Sequence, residues 1–149
     1  MDLGVYPFAW ARRLAGEDFD ILSAEADIDD GVDARFSAEL RFASGVDAMI
    51  GSDMTGARRA DMTLIFDRGE VTIQNFLAPQ LGHRLAIRPE GGAEEQLSVA
   101  GPSSFAAQLV AVRDAVRGGA AFPYPADDYV RSMRAIDRVR AVIRASGGP

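Results

Sequence analysis

No lysine occurs anywhere in the 149 residues; all 16 basic positions are arginine. A side-chain ammonium, the group that readily favours a nearby phenolate, is therefore something this chain cannot supply. Cysteine is also absent, which excludes disulfides, thiol chemistry and a cysteine-based zinc site. No apolar run approaches the roughly 18 residues of a membrane span. The opening is acidic rather than basic, so neither a span nor a signal peptide is expected, and the cytoplasm is the default location. A formal net charge of −6 without an arginine-rich stripe argues against nucleic acid and anionic membrane as partners. Arg12-Arg13 and Arg58-Arg59 are isolated pairs, and read as solvated surface rather than as a phosphate site. The glycine-rich G-x-G-x-x-G turn of dinucleotide-binding domains does not occur.

What is present reads as one domain, residues 1–149, large enough to bury roughly 70% of its unfolded surface. Residues 3–15 form a short helix, with Pro7 tolerated in the first turn and Gly16 as its stop. Val5, Tyr6, Phe8, Ala9, Trp10 and Ala11 make it apolar nearly all round, a pattern that calls for burial on several sides. Strict alternation then marks half-buried strands. Leu22, Ala24, Ala26 and Ile28 form one inward set; after Asp29-Asp30-Gly31, Phe36, Ala38, Leu40 and Phe42 form the next. Ser44-Gly45 leads into Val46, Ala48 and Ile50. Met62, Leu64 and Phe66 turn through Asp67-Arg68-Gly69 into Val71 and Ile73. Weaker strands lie at residues 85–87 and 97–99. One packed and one polar face is the antiparallel pattern.

Two helices close the chain. The first follows Pro102-Ser103-Ser104 and ends at Gly118-Gly119, with Phe105, Leu109, Val112 and Val116 as its stripe. The second begins at Asp127 or Asp128. It carries Tyr129, Met133, Ile136, Val139 and Ile143 inward, and Arg131, Arg134, Arg138 and Arg144 outward. The fold class is α+β, an open-faced, mostly antiparallel β-sheet with helices on one face.

Asp2-Leu3-Gly4-Val5-Tyr6-Pro7 resembles a motif that begins the C-terminal domain of the Gfo/Idh/MocA family of NAD(P)-dependent oxidoreductases. Gly31-Val32-Asp33 with Leu40 to Gly45 is similar to that family's central strands. Arg68 to Ile73 is similar to its hairpin, and Gln108 to Gly119 with Met133 to Asp137 to its closing helices. The resemblance spans nearly the whole chain and looks most like the dihydrodiol and xylose dehydrogenase branch. It implies a substrate-binding and dimerisation domain, with NAD(P) held by an N-terminal Rossmann domain that these residues do not include. The family also uses a lysine from a Glu-Lys-Pro motif of that other half, so no cofactor binding is expected from this chain by itself.

Carbinol oxidation needs a base for the hydroxyl proton, and its reverse needs an acid. By resemblance Tyr6 is the proton relay and Asp2 a nearby orienting carboxylate; four residues apart on a helix, they share a face. A phenol titrates near ~10 unperturbed, a poor base at neutral pH. The residues alone equally allow Asp2 as a helix cap and Tyr6 as a packing aromatic; the resemblance favours the catalytic pair. His83, the only histidine, follows a loop that could border a substrate pocket, although a lone histidine is more often loop structure. Asp27, Asp29, Asp30 and Asp33 fail the calcium-loop spacing, with Gly31 and Ala38 where ligands belong. Trp10 reads as packing against a partner surface. Arg35, Glu39 and Arg41 project from the polar sheet face and suit charge pairing across a two-fold axis in a homodimer.

The expectation is thus part of an oxidoreductase acting on a sugar, polyol or dihydrodiol, inactive alone. The alternative is a stand-alone dimerisation or ligand-binding module without catalysis. A separate Rossmann-domain polypeptide that supplies cofactor and lysine is a third reading.

Overall fold

The computed structural model describes residues 4–146. In chain order the elements are α1 (Val5–Ala15), β1 (Phe19–Asp29), β2 (Val32–Phe42), β3 (Asp47–Asp53), β4 (Met62–Phe66), β5 (Gly69–Gln74), a 3-10 turn (Pro79–Leu81), β6 (Arg84–Pro89), β7 (Glu95–Leu97), α2 (Ser104–Val116) and α3 (Ala126–Ala145). They fall into two compact units. The first draws on the chain up to Ala57 and again from Pro125; the second is Arg58–Tyr124. Every strand pairing is antiparallel, within a three-stranded sheet β1-β2-β3 and a four-stranded sheet β4-β5-β6-β7. The α+β class read from the alternation therefore holds.

In the first unit β2 is the central strand, and its alternation is clean. Phe36, Ala38, Leu40 and Phe42 are all at most 2% exposed, while Arg35, Glu39 and Arg41 face outward. The β1–β2 hairpin closes through Asp30 (φ 48°) and Gly31 (φ 76°). Two successive positive φ values are the requirement of a type I′ turn, which matches strand twist and suits an Asp-Gly pair.

The expected inward set of β1 needs correction at both ends. A bulge between Ile21 and Ser23 turns Leu22 outward, 51% exposed, and brings Ile21 against the core instead. An extra residue in one strand reverses the side-chain parity beyond it. A second irregularity, between Asp27 and Ile28, leaves Ile28 exposed as well.

Both helices of this unit bury residues in the sheet's core cluster. Phe8 of α1, with no exposed surface, stacks on Phe36 at 6.1 Å between ring centroids. Phe19 and Phe42 pack at 5.4 Å, and the Arg138 guanidinium lies 4.4 Å above the Phe19 ring while donating to the Phe19 carbonyl at 2.6 Å. From α3, Ile136, Val139 and Ile143 are buried as expected, but Tyr129 and Met133 are exposed. Ser132 and Ala135 are buried in their place. Ser132 is turned inward toward a polar contact with α1, and the apolar stripe shifts with it.

The second unit is thinner. Its strands follow the expected hairpins, with β7 beginning two residues earlier than the alternation suggested. Gly69, at φ 140°, opens β5 where a Cβ would run into the Arg88 carbonyl, so only glycine fits. The N-terminus of α2 is capped by Ser103, whose hydroxyl accepts from the Ala106 N–H at 3.2 Å. None of the α2 residues is buried, and the expected core stripe of Phe105, Leu109, Val112 and Val116 faces outward. The spacing located an apolar face correctly; no described element covers it.

Candidate functional site

The helix that carries Tyr6 starts at Gly4 without a side-chain cap. It ends at Gly16, whose φ of 113° lets its N–H reach the Arg12 carbonyl at 2.9 Å. It has two sides. Phe8, Arg12 and Ala15 are buried, while Tyr6 (45%), Trp10 (38%) and Leu14 (52%) are exposed. The sequence led us to expect a helix buried on several sides, but its aromatic side is partly open. Tyr6 therefore sits on the accessible face of an anchored helix. Asp2 lies outside the described residues.

What anchors the helix is Arg12, which the sequence assigned to solvated surface. It is 4% exposed. Its Nε donates to Glu17 Oε2 at 2.8 Å and Nη2 to Glu17 Oε1 at 3.0 Å. Nη2 also donates to Asp128 Oδ1 at 2.9 Å, and Nη1 to Ser132 Oγ at 2.6 Å and the Asp128 carbonyl at 3.3 Å. A guanidinium has five N–H donors, and here each has an acceptor. Burial of the charge is tolerable because two carboxylates and full hydrogen bonding replace water. The bond from Arg12 holds the Glu17 carboxyl below its usual value of 4.5, and Glu17 in turn raises Arg12. Nothing in the composition marked Arg12. The signal available was its place four residues after Phe8, on the helix's inward side.

His83 belongs to the second unit. Its Nδ1 bonds the Pro79 carbonyl at 3.1 Å, and Nε2 accepts from the Val99 N–H at 3.2 Å. That pair of contacts fits a ring that donates from Nδ1 and accepts at Nε2. Both nitrogens are spent on backbone. Tyr6 and His83 thus fall in different units.

Two of the four acidic turn residues are likewise occupied by arginines. Asp27 pairs with Arg35 at 3.3 Å and Asp33 with Arg140 at 3.3 Å. Among the described residues no group of three or more histidine, aspartate or glutamate side chains could hold a metal. On the outer sheet face Arg35 also bonds Asp53 at 3.1 Å, and Arg41 clamps Asp47 with two bonds of 2.8 Å. Asp53, which also accepts from Thr55, is pushed down to about 2, the Thr55 bonds being the largest cause. Among the described residues, no helix is long and apolar enough to cross a membrane.

Comparison with known proteins adds to this geometry. No family model matches the chain. It is 34% identical over 122 residues to dTDP-3,4-didehydro-2,6-dideoxy-alpha-D-glucose 3-reductase of Streptomyces violaceoruber, over 78% of this chain and 35% of that protein. The aldose-aldose oxidoreductase of Caulobacter crescentus superposes with a TM-score of 0.83 at 22% identity, over 96% of this chain and 44% of that one. A 3-ketoreductase of Actinomadura kijaniata, solved with TDP-benzene and NADP, gives 0.81 at 24%, over 95% and 46%. The fold is that of a Gfo/Idh/MocA C-terminal domain. The chain spans about a third of the curated relative and less than half of each of these solved chains. UDP-N-acetylglucosamine 3-dehydrogenase of Acidithiobacillus ferrooxidans, at TM-score 0.80 and 15% identity, shares the fold over 95% of this chain.

Proposed function

We propose that this chain supplies the substrate-binding part of an NAD(P)-dependent sugar oxidoreductase, with Tyr6 as its proton relay. The observation that carries the reading is Tyr6 itself: a phenol on the open side of a helix whose other side is fixed by Phe8 and Arg12. When a sugar carbonyl is reduced, negative charge gathers on its oxygen. A phenol within hydrogen-bond reach donates the proton there, and takes it back when a hydroxyl is oxidised. Trp10, one turn along the same face, offers an aromatic surface for a sugar ring. Asp2 is retained as an orienting carboxylate on the strength of the motif. His83 acts through the loop it brackets, since its ring nitrogens are engaged.

The cofactor does not fit the described residues. Dinucleotides sit at the first turn of a parallel βαβ unit, and every strand pairing here is antiparallel. These residues therefore offer NAD(P) no dinucleotide-binding turn. The nicotinamide chemistry belongs to sequence of the kind that makes up the remainder of the relatives.

A chimera tests the assignment: this chain joined to the N-terminal portion of the Streptomyces violaceoruber reductase, assayed for NADPH-dependent reduction of a keto-sugar nucleotide. Tyr6→Phe should lower kcat by roughly 10²–10⁴-fold with KM little changed. An active chimera indifferent to that substitution would end the relay assignment. Self-association through the outer sheet face accompanies this reading. Met49, 77% exposed, stands there opposite Glu39 among charged neighbours. Sedimentation should show a dimer that Met49→Glu disperses; a monomer at all concentrations rules that face out.

A further inference from the structure

The second unit bears a surface concavity of about 560 Å³. Three guanidinium groups line it, those of Arg58, Arg59 and Arg84, against one carboxylate, Asp61. In a chain of net charge −6 this is a local reversal of sign. The floor is built rather than incidental. Asn75 adopts a left-handed conformation at φ 55°, unusual for a residue with a side chain. Its amide donates to the Ala78 and Gly82 carbonyls at 2.9 and 2.6 Å, and its backbone N–H donates to Asp61 Oδ1 at 3.2 Å. His83 ties the same loop to Val99. The framework thus engages Asn75 and His83 and leaves the cations on the surface. Arg59 leans on Asp61 at 3.0 Å and Arg84 on Glu94 at 2.6 Å. Arg58 makes no ion pair or hydrogen bond with any described residue. Leu81, 73% exposed, adds an apolar platform to the lining.

We propose that this concavity binds a phosphate-bearing small molecule, its phosphate gripped by Arg58 with Arg59 and Arg84 and its carbon skeleton laid on Leu81. Guanidinium is the side chain that matches phosphate with paired, charge-assisted bonds. Asp61 competes for Arg59, so an incoming anion must draw that guanidinium away. Occupancy needs neither Tyr6 nor a cofactor. The sequence concealed the site because two arginines in a row resemble ordinary surface, and the third lies 26 positions after Arg58.

The test is an NMR titration of the whole 149-residue chain at low ionic strength with glucose 1-phosphate, inorganic phosphate and unphosphorylated glucose. Both phosphates should produce saturable shifts in residues 58–61 and 74–84, and glucose none. Tighter binding of glucose 1-phosphate supports the Leu81 platform; equal affinities would overturn that part of the site. Arg58→Gln, at an exposed position, should weaken binding roughly tenfold or more. Asp61→Asn should tighten it severalfold by releasing Arg59. Added salt should weaken it. Absence of saturation to about 10 mM phosphate ester, shifts confined to other residues, or an Arg58→Gln chain that binds unchanged would overturn the site.

Discussion

The two units are built from similar parts but close differently. In the first, three strands and two helices enclose Phe8, Phe36, Leu40, Phe42, Ile136 and Val139, each at most 2% exposed. In the second, four strands and a 13-residue helix bury only two apolar side chains, Ala78 and Ala86, below one tenth exposure. Four of its larger apolar groups, Ile65, Phe105, Leu109 and Val116, are each more than two thirds exposed. Strand pairing and caps suffice to shape a unit. Only enclosed apolar volume gives it a large stability of its own. The first unit is accordingly the rigid carrier of Tyr6, and the second holds its form through ladders and polar loop bonds.

The largest expected effect comes from Phe8→Ala, which should cost about 3–5 kcal/mol because it empties a fully enclosed site. Urea unfolding followed by Trp10 fluorescence measures it. Hydrogen exchange sharpens the contrast, with β2 amides protected well beyond those of β5 and β6. A uniform exchange profile would erase the distinction between the units.

Next is Arg12→Met. Removing the guanidinium strands Asp128 and Ser132 while half-exposed Glu17 rehydrates, a loss of about 2–3 kcal/mol. The same cluster gives the first unit an acid-sensitive edge. Glu17 is held below its ordinary value of 4.5 by Arg12. Its contribution is therefore complete above that value, and is lost as the pH falls below 4.5 through the depressed value. Glu17→Gln should flatten that limb of the stability curve, and an unchanged acid limb would mean that other carboxylates control it. The smallest effect belongs to Leu109→Ser, within about 0.5 kcal/mol for a position with nothing packed on it. A larger loss in solution would show that the α2 stripe is covered after all.

How much of this was readable in the residues varies with the kind of contact. The β2 alternation from Phe36 to Phe42 was legible because both faces of a central strand obey one period. Leu22 was misassigned because a bulge is a property of the pair of strands, not of either one. The α2 stripe was read correctly as apolar and wrongly as core, since periodicity reports the side of a helix and not its neighbour. Tyr129 and Met133 went the same way, displaced by Ser132. Arg12 was hidden because its acceptors lie as far as 120 positions away. Tyr6 stood out through the motif that surrounds it, whereas Arg58, Arg59 and Arg84 are brought together only by the fold.

The saturated guanidinium of Arg12 also has a mechanical consequence. Successive residues of a helix are turned by about 100°, so Arg12 and Tyr6 stand about 120° apart around α1. Five bonds to three separate residues work as an index pin. Rolling the helix by a single position would break the three bonds to α3 together, and small rotations are resisted in both directions. Position 12 thus sets the compass bearing of the phenol six residues earlier. A lysine there, with three donors on one nitrogen, would hold the helix down but leave it free to swivel.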